Sequence, residues 1–212
     1  MRTVLIDYDS GNLHSAEKAF QRMASEVGAG SVIVSGEAEE VARADRIVLP
    51  GDGAYPSCRA ALAAHPGMIE AITEHVETKG KPFMGICIGM QMMSTLGREH
   101  EDTPGFGWVP GEVVPIAPSD PSLKVPHMGW NDLVIDGDHP CLTGVATGDH
   151  AYFVHSYHLA CADPAQRLAH VDYAGEVTAI VGEGTRFGTQ FHPEKSQQTG
   201  LRIIANFLRW AP

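Results

Sequence analysis

Short apolar runs bounded by turn residues alternate with helix-like spacing in the first half of the chain. Buried strands are predicted over residues 3–7, 31–35, 46–49 and 83–86, and helices over residues 37–44, 57–64 and 68–79. Leu13, Ala16, Phe20 and Met23 recur at helical spacing after the first strand. Strands that alternate with helices favour right-handed crossovers and a parallel sheet with helices on both faces. The site of such a sheet lies beyond the carboxyl ends of its strands.

The second half has a different pattern, in which glycine and proline separate short β-type runs. Strands are predicted over residues 111–116, 130–135, 151–157, 168–173, 177–181 and 188–192, and a last helix over residues 199–210. We expect these strands to be partly antiparallel and to extend the first sheet. Because no repeat, low-complexity segment or linker interrupts the chain, we expect one α/β domain over residues 1–212.

Composition narrows the classes of function. The formal net charge of -11 argues against nucleic acid or an anionic membrane as the main partner. We expect no signal peptide, because the apolar run at the N-terminus ends at Asp7, and no stretch approaches the ~20 apolar residues of a membrane helix. The 4 cysteines form no CxxC pair, which favours reduced thiols and a cytoplasmic location.

Cys87 stands at the end of a predicted strand, between Gly85 and Gly89. A strand, a sharp turn and a new helix form the nucleophile elbow of hydrolytic enzymes, here with cysteine in place of serine. The N-terminus of the helix would favour the thiolate. The alternative is a buried structural cysteine at the end of a core strand.

His192 and Glu194 form a second chemical cluster, two positions apart around Pro193. If the segment leaves the end of a strand, both side chains point the same way. The carboxylate would then hold Nδ1–H of His192 and leave Nε2 free as a base, so that nucleophile, base and orienting acid are all present. Taken singly, His192 is equally explained as a satisfied strand histidine and Glu194 as a solvated carboxylate.

The 11 histidines raise the question of a metal site, but no HExxH motif or other tight ligand spacing is present. We therefore expect no zinc site, no other metal and no cofactor. Phosphate-binding motifs of the Walker or dinucleotide type are also absent from the sequence.

Together these segments resemble a known family. The GICIGMQ run at residues 85–91 with His192-Pro193-Glu194 looks like a class I, triad-type glutamine amidotransferase. Further segments are similar to the glutaminase subunits of imidazole glycerol phosphate synthases, which act in histidine biosynthesis; they are residues 6–13, 49–53, 125–131, 152–157 and 188–196. The resemblance implies a three-layer α/β/α, flavodoxin-like fold with a largely parallel central sheet and added antiparallel strands.

The resemblance also implies a chemistry and a set of site residues. Cys87 would attack the side-chain carboxamide of glutamine, His192 would carry the proton to the leaving ammonia, and water would hydrolyse the thioester. The oxyanion hole would use the backbone amides of Ile88 and Asp52. The glutamine-binding residues implied are Gly51, Gln91, Glu99 (for the α-ammonium), Ser156 and Tyr157.

A partner is implied as well. In the family the glutaminase forms a heterodimer with a (β/α)₈ cyclase, whose lyase step yields imidazole glycerol phosphate and an aminoimidazole carboxamide ribotide from the channelled ammonia. The interface-type positions are Asn12, Trp130, Tyr152 and Lys195, for which ordinary packing is the rival explanation.

Two positions depart from the family pattern. Asp52 replaces an apolar residue, and we expect its carboxylate to point away from the oxyanion; Asp9-Ser10 replaces small or Gly/Pro residues. Because Gly51 and Gly53 flank Asp52, the intervening peptide could flip at low cost. The hypothesis is an oxyanion hole that is completed only when the cyclase and its ligand bind.

Three alternatives remain open on the sequence. The chain could be the glutaminase of another pathway, although the HMGWN segment at residues 127–131 argues against this. It could be a stand-alone peptidase or γ-glutamyl hydrolase on the same scaffold. It could also be a non-catalytic scaffold that binds a synthase, against which the intact Cys87, His192 and Glu194 count.

Overall fold

The computed structural model describes residues 1–10 and 13–212. Its first half alternates strands and helices as the apolar pattern predicts. The elements are β1 (Arg2–Ile6), α1 (Leu13–Val27), β2 (Ser31–Ser35), α2 (Ala38–Arg43), β3 (Arg46–Gly51), α3 (Tyr55–Ala64), α4 (Met68–Thr73), β4 (Phe83–Cys87) and α5 (Ile88–Gln91).

Strands dominate the second half. They are β5 (Leu96–Gly97), β6 (Thr103–Pro104), β7 (Gly111–Pro115), β8 (His127–Asp132), β9 (Val134–Ile135), β10 (His150–His155), β11 (Tyr157–Cys161), β12 (Arg167–Asp172), β13 (Glu176–Glu183) and β14 (Arg186–Thr189). The last helix is α6 (Gln197–Arg209). None of the helices among the described residues is long and apolar enough to span a bilayer.

The central sheet has 8 strands in the order β2-β1-β3-β4-β14-β13-β12-β9. The first five strands of this order are parallel, and the remaining three are added antiparallel. Helices α1 and α6 pack together, and α2 packs on α4, so that the sheet lies between helical layers. The expected three-layer α/β/α fold is therefore confirmed.

The expectation that the whole second half extends the first sheet is wrong in part. Only β9, β12, β13 and β14 join it. The pair β8–β10 forms a separate two-stranded antiparallel ribbon, and β11, β7, β5 and β6 form a four-stranded sheet. The reason is the break at Ser156, which splits the predicted strand 151–157 and sends its two parts into different sheets.

Three other elements differ clearly from the predictions. The strand expected over residues 130–135 is divided between β8, in the ribbon, and β9, in the central sheet. The strand expected over residues 188–192 ends at Thr189, because Pro193 starts a 3₁₀ turn over Pro193–Lys195. The helix expected over residues 68–79 changes at Glu74 into a π-helical segment, Glu74–Thr78.

The sheet register determines which residues meet at the carboxyl edge. Gly51 at the end of β3 pairs with Cys87 at the end of β4. On the other side of β4, Thr189 at the end of β14 pairs with Ile86. The turn after β3, the elbow cysteine and the segment leading to His192 therefore leave the sheet side by side, as the topology of a parallel sheet requires.

Candidate active site

Cys87 occupies a strained turn between β4 and α5. Its φ of 56° and ψ of -111° lie in a region that side-chain-bearing residues rarely adopt. The flanking glycines are needed for packing: a Cβ on Gly85 would lie 2.5 Å from the Gly89 oxygen, and one on Gly89 would lie 1.8 Å from the Leu49 oxygen. The turn therefore has the geometry of a nucleophile elbow, with Cys87 only 4% exposed.

The helix after the elbow, which was expected to favour the Cys87 thiolate, is short. It comprises only Ile88–Gln91. Because a macrodipole grows from several aligned turns, a single turn contributes mainly its free backbone N–H groups.

His192 and Glu194 lie together in the interior. His192 Nδ1 is 2.9 Å from Glu194 Oε1, and the two side chains are 4% and 2% exposed. His192 keeps an extended backbone (φ -87°, ψ 102°) before Pro193, whereas Glu194 belongs to the 3₁₀ turn. The turn, and not a continuous strand, thus places the two side chains on one side.

The sulfur of Cys87 lies close to the His192 ring. Burial lowers the pKa of His192, but the Cys87 thiol and the Glu194 carboxylate raise it more, and the net pKa is above the ordinary value. Nε2 of the ring makes no hydrogen bond within residues 1–10 and 13–212. The arrangement can therefore take a proton from a nucleophile and keep it while the ring remains fixed by Glu194.

A cavity of about 240 Å³ opens above Cys87. Seven of its lining residues were predicted from the sequence as site residues: Asp52, Cys87, Ile88, Gln91, Glu99, Ser156 and Tyr157. Gly53, Pro126, Val154 and His155 complete the lining. The volume suits a small molecule, and the polar groups converge on the sulfur.

The predicted ligand-binding residues occupy different positions in this cavity. Gln91 is buried, and its Nε2 donates to the Tyr157 carbonyl and to Gln190 Oε1, each at 3.0 Å. Glu99 Oε2 accepts from the Tyr55 amide at 2.7 Å. Gly51 is not among the lining residues: it packs behind them, where a Cβ would lie 2.7 Å from Cβ of Ile88.

Side chains from other segments form hydrogen bonds to the end of β3 and to the turn that follows it. Asp52 is exposed, and its carbonyl accepts from Ser10 Oγ at 3.0 Å and from Cys58 Sγ at 3.2 Å. Tyr8 donates to the Pro50 carbonyl at 2.7 Å. These contacts fix the Asp52 carbonyl, and they give Cys58 and Ser10 a structural role that the sequence did not indicate.

The ribbon β8–β10 presents an apolar face beside the cavity. Trp130 is 50% exposed and packs edge-on against Tyr152, at 5.8 Å between ring centroids. Val125 and Met128 are 45% and 62% exposed. The predicted interface residue Lys195 is half-buried in the 3₁₀ turn, and Asn12 lies outside the described residues.

Sequence reasoning missed two features of the site. Gln190 is fully buried, and its Nε2 lies 3.7 Å from the Cys87 sulfur. His155 lines the cavity and contacts His127 behind it. Both histidines lie inside the motifs at residues 125–131 and 152–157, but only the register of β8 with β10 shows that they meet.

Metal-ligating side chains do not cluster in the part of the chain that the structure describes: no group of three or more His, Cys, Asp or Glu side chains there could hold an ion.

Known proteins are similar over the full length. A family model described as "Glutamine amidotransferase class-I" matches residues 4–210. The Imidazole glycerol phosphate synthase subunit HisH of Cereibacter sphaeroides is 71% identical, and that of Ruegeria pomeroyi is 64% identical, each over 100% of both chains.

Solved structures share the fold at low identity. A glutamine amidotransferase crystal structure superposes with a TM-score of 0.73 at 15% identity, covering 98% of this chain and 99% of that one. The glutaminase domain of Trypanosoma brucei CTPS, with bound acivicin, gives 0.65 at 13% identity, covering 100% of this chain and 94% of that one. From the family match and the full-length relatives, this chain belongs to the class-I glutamine amidotransferase family and, within it, to the HisH subunits of imidazole glycerol phosphate synthase.

Proposed function

We propose that this chain hydrolyses glutamine to glutamate and ammonia with a triad of Cys87, His192 and Glu194, and supplies the ammonia to imidazole glycerol phosphate synthesis in histidine biosynthesis. The observation that carries the proposal is the meeting of the elbow sulfur with the His192 ring, itself held by Glu194 at 2.9 Å. The names of the full-length relatives support the pathway.

The proposed reaction has two steps, the formation of a thioester on Cys87 and its hydrolysis. The Cys87 thiol gives its proton to His192 Nε2 and attacks the carboxamide carbon of glutamine. The imidazolium, stabilised by Glu194, returns the proton to the leaving nitrogen, and ammonia departs from the thioester. Water then loses a proton to His192 and attacks the thioester carbon. The C–S bond breaks, glutamate is released, and His192 returns the proton to the Cys87 sulfur.

Developing charge on the carbonyl oxygen needs fixed donors. The Ile88 amide, directly after the nucleophile, is one proposed donor, and the Asp52 amide in the turn after β3 is the other. Each donor is worth about 3 kcal/mol of barrier. The rest of the glutamine would lie in the cavity, with Glu99 near the α-ammonium and the backbone of Ser156 and Tyr157 near the α-carboxylate.

As a synthase subunit, the chain acts with a partner subunit. We propose that the partner is a (β/α)₈ cyclase in a 1:1 heterodimer and that it docks on the apolar face of the β8–β10 ribbon. The exposure of Met128 and Trp130 next to the cavity supports this surface, because an apolar patch of that kind is typical of a docking site. Docking there would let ammonia pass without entering water.

Two broader expectations remain part of the proposal. One glutaminase domain over residues 1–212 agrees with the family match over residues 4–210. A cytoplasmic location agrees with 4 cysteines that are all free thiols.

The turn after β3 offers a point of control. Gly53 has a φ of 103°, which glycine adopts without strain, and the Asp52 carbonyl is held by hydrogen bonds from Ser10 and Cys58. Rotation of this peptide would have to break those two bonds. If the bound cyclase and its ligand complete the oxyanion hole, the lone subunit should hydrolyse glutamine weakly. The complex should hydrolyse it much faster. Equal glutamate release with and without the liganded cyclase contradicts this control.

The experiment for the function itself is covalent labelling. A glutamine-mimicking electrophile should modify Cys87 and block glutamate release, whereas Cys141, which is fully buried and has a raised pKa, should not react. A chain that binds the cyclase but neither reacts at Cys87 nor releases glutamate would be the non-catalytic scaffold. Peptide or γ-glutamyl cleavage by the lone chain would favour a stand-alone hydrolase.

A further inference from the structure

A buried histidine pair lies at the wall of the glutamine cavity, with His155 in the lining and His127 behind it, and the proposed chemistry does not use it. His127 on β8 and His155 on β10 are directly opposite in the antiparallel register. Nδ1 of His127 lies 3.0 Å from Nε2 of His155, and the residues are 2% and 6% exposed. His127 also stacks on Phe153, at 4.9 Å between ring centroids, which fixes the plane of its ring.

Backbone groups anchor both ends of this pair. At one end, His155 Nδ1 lies 2.9 Å from the Tyr157 carbonyl, which can only accept. At the other end, Asn131 Nδ2 lies 3.2 Å from His127 Nε2 and 3.2 Å from the Asp172 carbonyl. The Asn131 Oδ1 accepts from the Asp132 amide at 2.8 Å, so the orientation of the Asn131 side chain is determined and its Nδ2 is the donor.

These anchors leave one arrangement of protons. The Tyr157 carbonyl requires a hydrogen on His155 Nδ1, so Nε2 of neutral His155 must accept from His127 Nδ1–H. The Nε2 of His127 is then free to accept from Asn131. Adding a proton to either ring would place two donors face to face, at the His–His contact or at Asn131. The pKa values agree with neutral rings. Burial is the largest cause of the shifts, and the pKa of His127 is lowered to about 4 and that of His155 to about 3.

The pair ends on a carbonyl that also orients a cavity residue. The Tyr157 oxygen accepts from Gln91 Nε2 at 3.0 Å, and the other hydrogen of this Nε2 reaches Gln190 at 3.0 Å. Both amide hydrogens of Gln91 are therefore used. Its Oε1 is buried and has no partner within the described ranges, which costs free energy until a donor arrives.

We propose that His127 and His155 are positioning residues that, as two neutral Nδ1–H tautomers, hold the Tyr157 carbonyl and through it orient the Gln91 side chain to receive glutamine. The inference rests on the proposed function, because it takes the cavity above Cys87 as the glutamine site. We expect such a relay to act on binding of the substrate, since the hydrogen bonds of the pair run to Asn131 and the Tyr157 carbonyl and not to the Cys87 sulfur.

Glutamine kinetics of matched variants test the proposal, in the complex with the cyclase. His155→Leu removes the donor to Tyr157, whereas His155→Asn places an amide N–H where Nδ1–H stood. The expected result is a KM for glutamine raised at least about tenfold in His155→Leu and restored to within about threefold of wild type in His155→Asn, with kcat changed less than about threefold in both. His75→Leu is the control, because His75 is equally buried and bonds a backbone carbonyl, that of Pro82, away from the cavity.

The outcomes separate this inference from the function on which it rests. If wild type releases no more glutamate than Cys87→Ala, the proposed function fails. If wild type is active and a folded His155→Leu variant keeps the wild-type KM, or if His75→Leu raises KM equally, the positioning role is wrong.

A spectroscopic measurement on the wild-type complex remains decisive if His155→Leu does not fold. The ¹⁵N chemical shifts of labelled histidine should show a protonated Nδ1 and an unprotonated Nε2 for both His127 and His155. A proton on Nε2 of either ring overturns the proposal.

Discussion

The elbow and the β8–β10 ribbon both line the same cavity but are built differently. The residues before and after Cys87 along the chain, from Phe83 to Ser94, are buried, and a Cβ on Gly85 or Gly89 would collide with backbone atoms. On the ribbon, Met128 is 62% exposed and Trp130 is 50% exposed. The nucleophile is thus held by the packing of the chain itself, whereas the ribbon displays apolar surface that a partner would bury.

Backbone strain is retained where the surrounding packing is tight. A φ of 56° at Cys87 persists because β3, β4 and α5 pack together around the turn. The turn after β3 is exposed at Asp52 and Gly53, and the Asp52 carbonyl is held by hydrogen bonds from Ser10 and Cys58. A rigid elbow beside a less tightly packed turn is the arrangement that the proposed control by a partner would use.

The largest expected effect comes from adding a methyl group in the elbow, compared with adding one in the exposed turn after β3. Gly89→Ala should lower the free energy of unfolding by more than about 3 kcal/mol, because its Cβ would lie 1.8 Å from the Leu49 oxygen. Gly53→Ala, with no atom within 4 Å but a φ of 103°, should cost only about 1–2 kcal/mol. Chemical denaturation of both variants measures the contrast, and equal losses would mean that the elbow is not the tightly packed side.

The next effect concerns the acid stability of the buried core away from the cavity. His75 is fully buried, and burial lowers its pKa to about 4. The folded state therefore binds fewer protons than the unfolded state between about pH 6.5 and pH 4, and acidification through this window destabilises the fold. His75→Gln, which can keep a donor to the Pro82 carbonyl, should lose less stability than wild type between pH 7 and pH 5, by on the order of 2 kcal/mol.

Denaturation at the two pH values measures this difference. The exposed His14→Gln is the control and should behave as wild type does. An unchanged pH dependence in His75→Gln would show that His75 is not a source of acid sensitivity.

The smallest effect on stability is expected on the ribbon. Trp130→Ala should change the free energy of unfolding by less than about 0.5 kcal/mol, because half of the residue is already exposed. It should nevertheless weaken cyclase binding by at least about tenfold, since exposed tryptophans at an interface contribute about 2 kcal/mol or more. Titration calorimetry with the cyclase measures the affinity, with the exposed Glu39→Ala on α2 as control; unchanged affinity would remove the ribbon from the interface.

The sequence predicted the packed side well because its signals are local. Apolar runs and helical spacing located β1 to β4, and the glycines around Cys87 indicated the elbow. The ribbon depends on pairing across long distances. The break at Ser156 and the opposition of His127 and His155 follow from a register that no local pattern encodes. The hydrogen bond from Ser10 to the Asp52 carbonyl joins two loops, and the sequence could not predict it either.

The most direct test of the central claim is glutamate release by wild type and Cys87→Ala, each measured alone and with the liganded cyclase. The account predicts weak release by wild type alone, strong release in the complex, and a loss of at least about 10³-fold in Cys87→Ala under both conditions. Release by Cys87→Ala at the wild-type rate would contradict the assignment of this sulfur as the nucleophile.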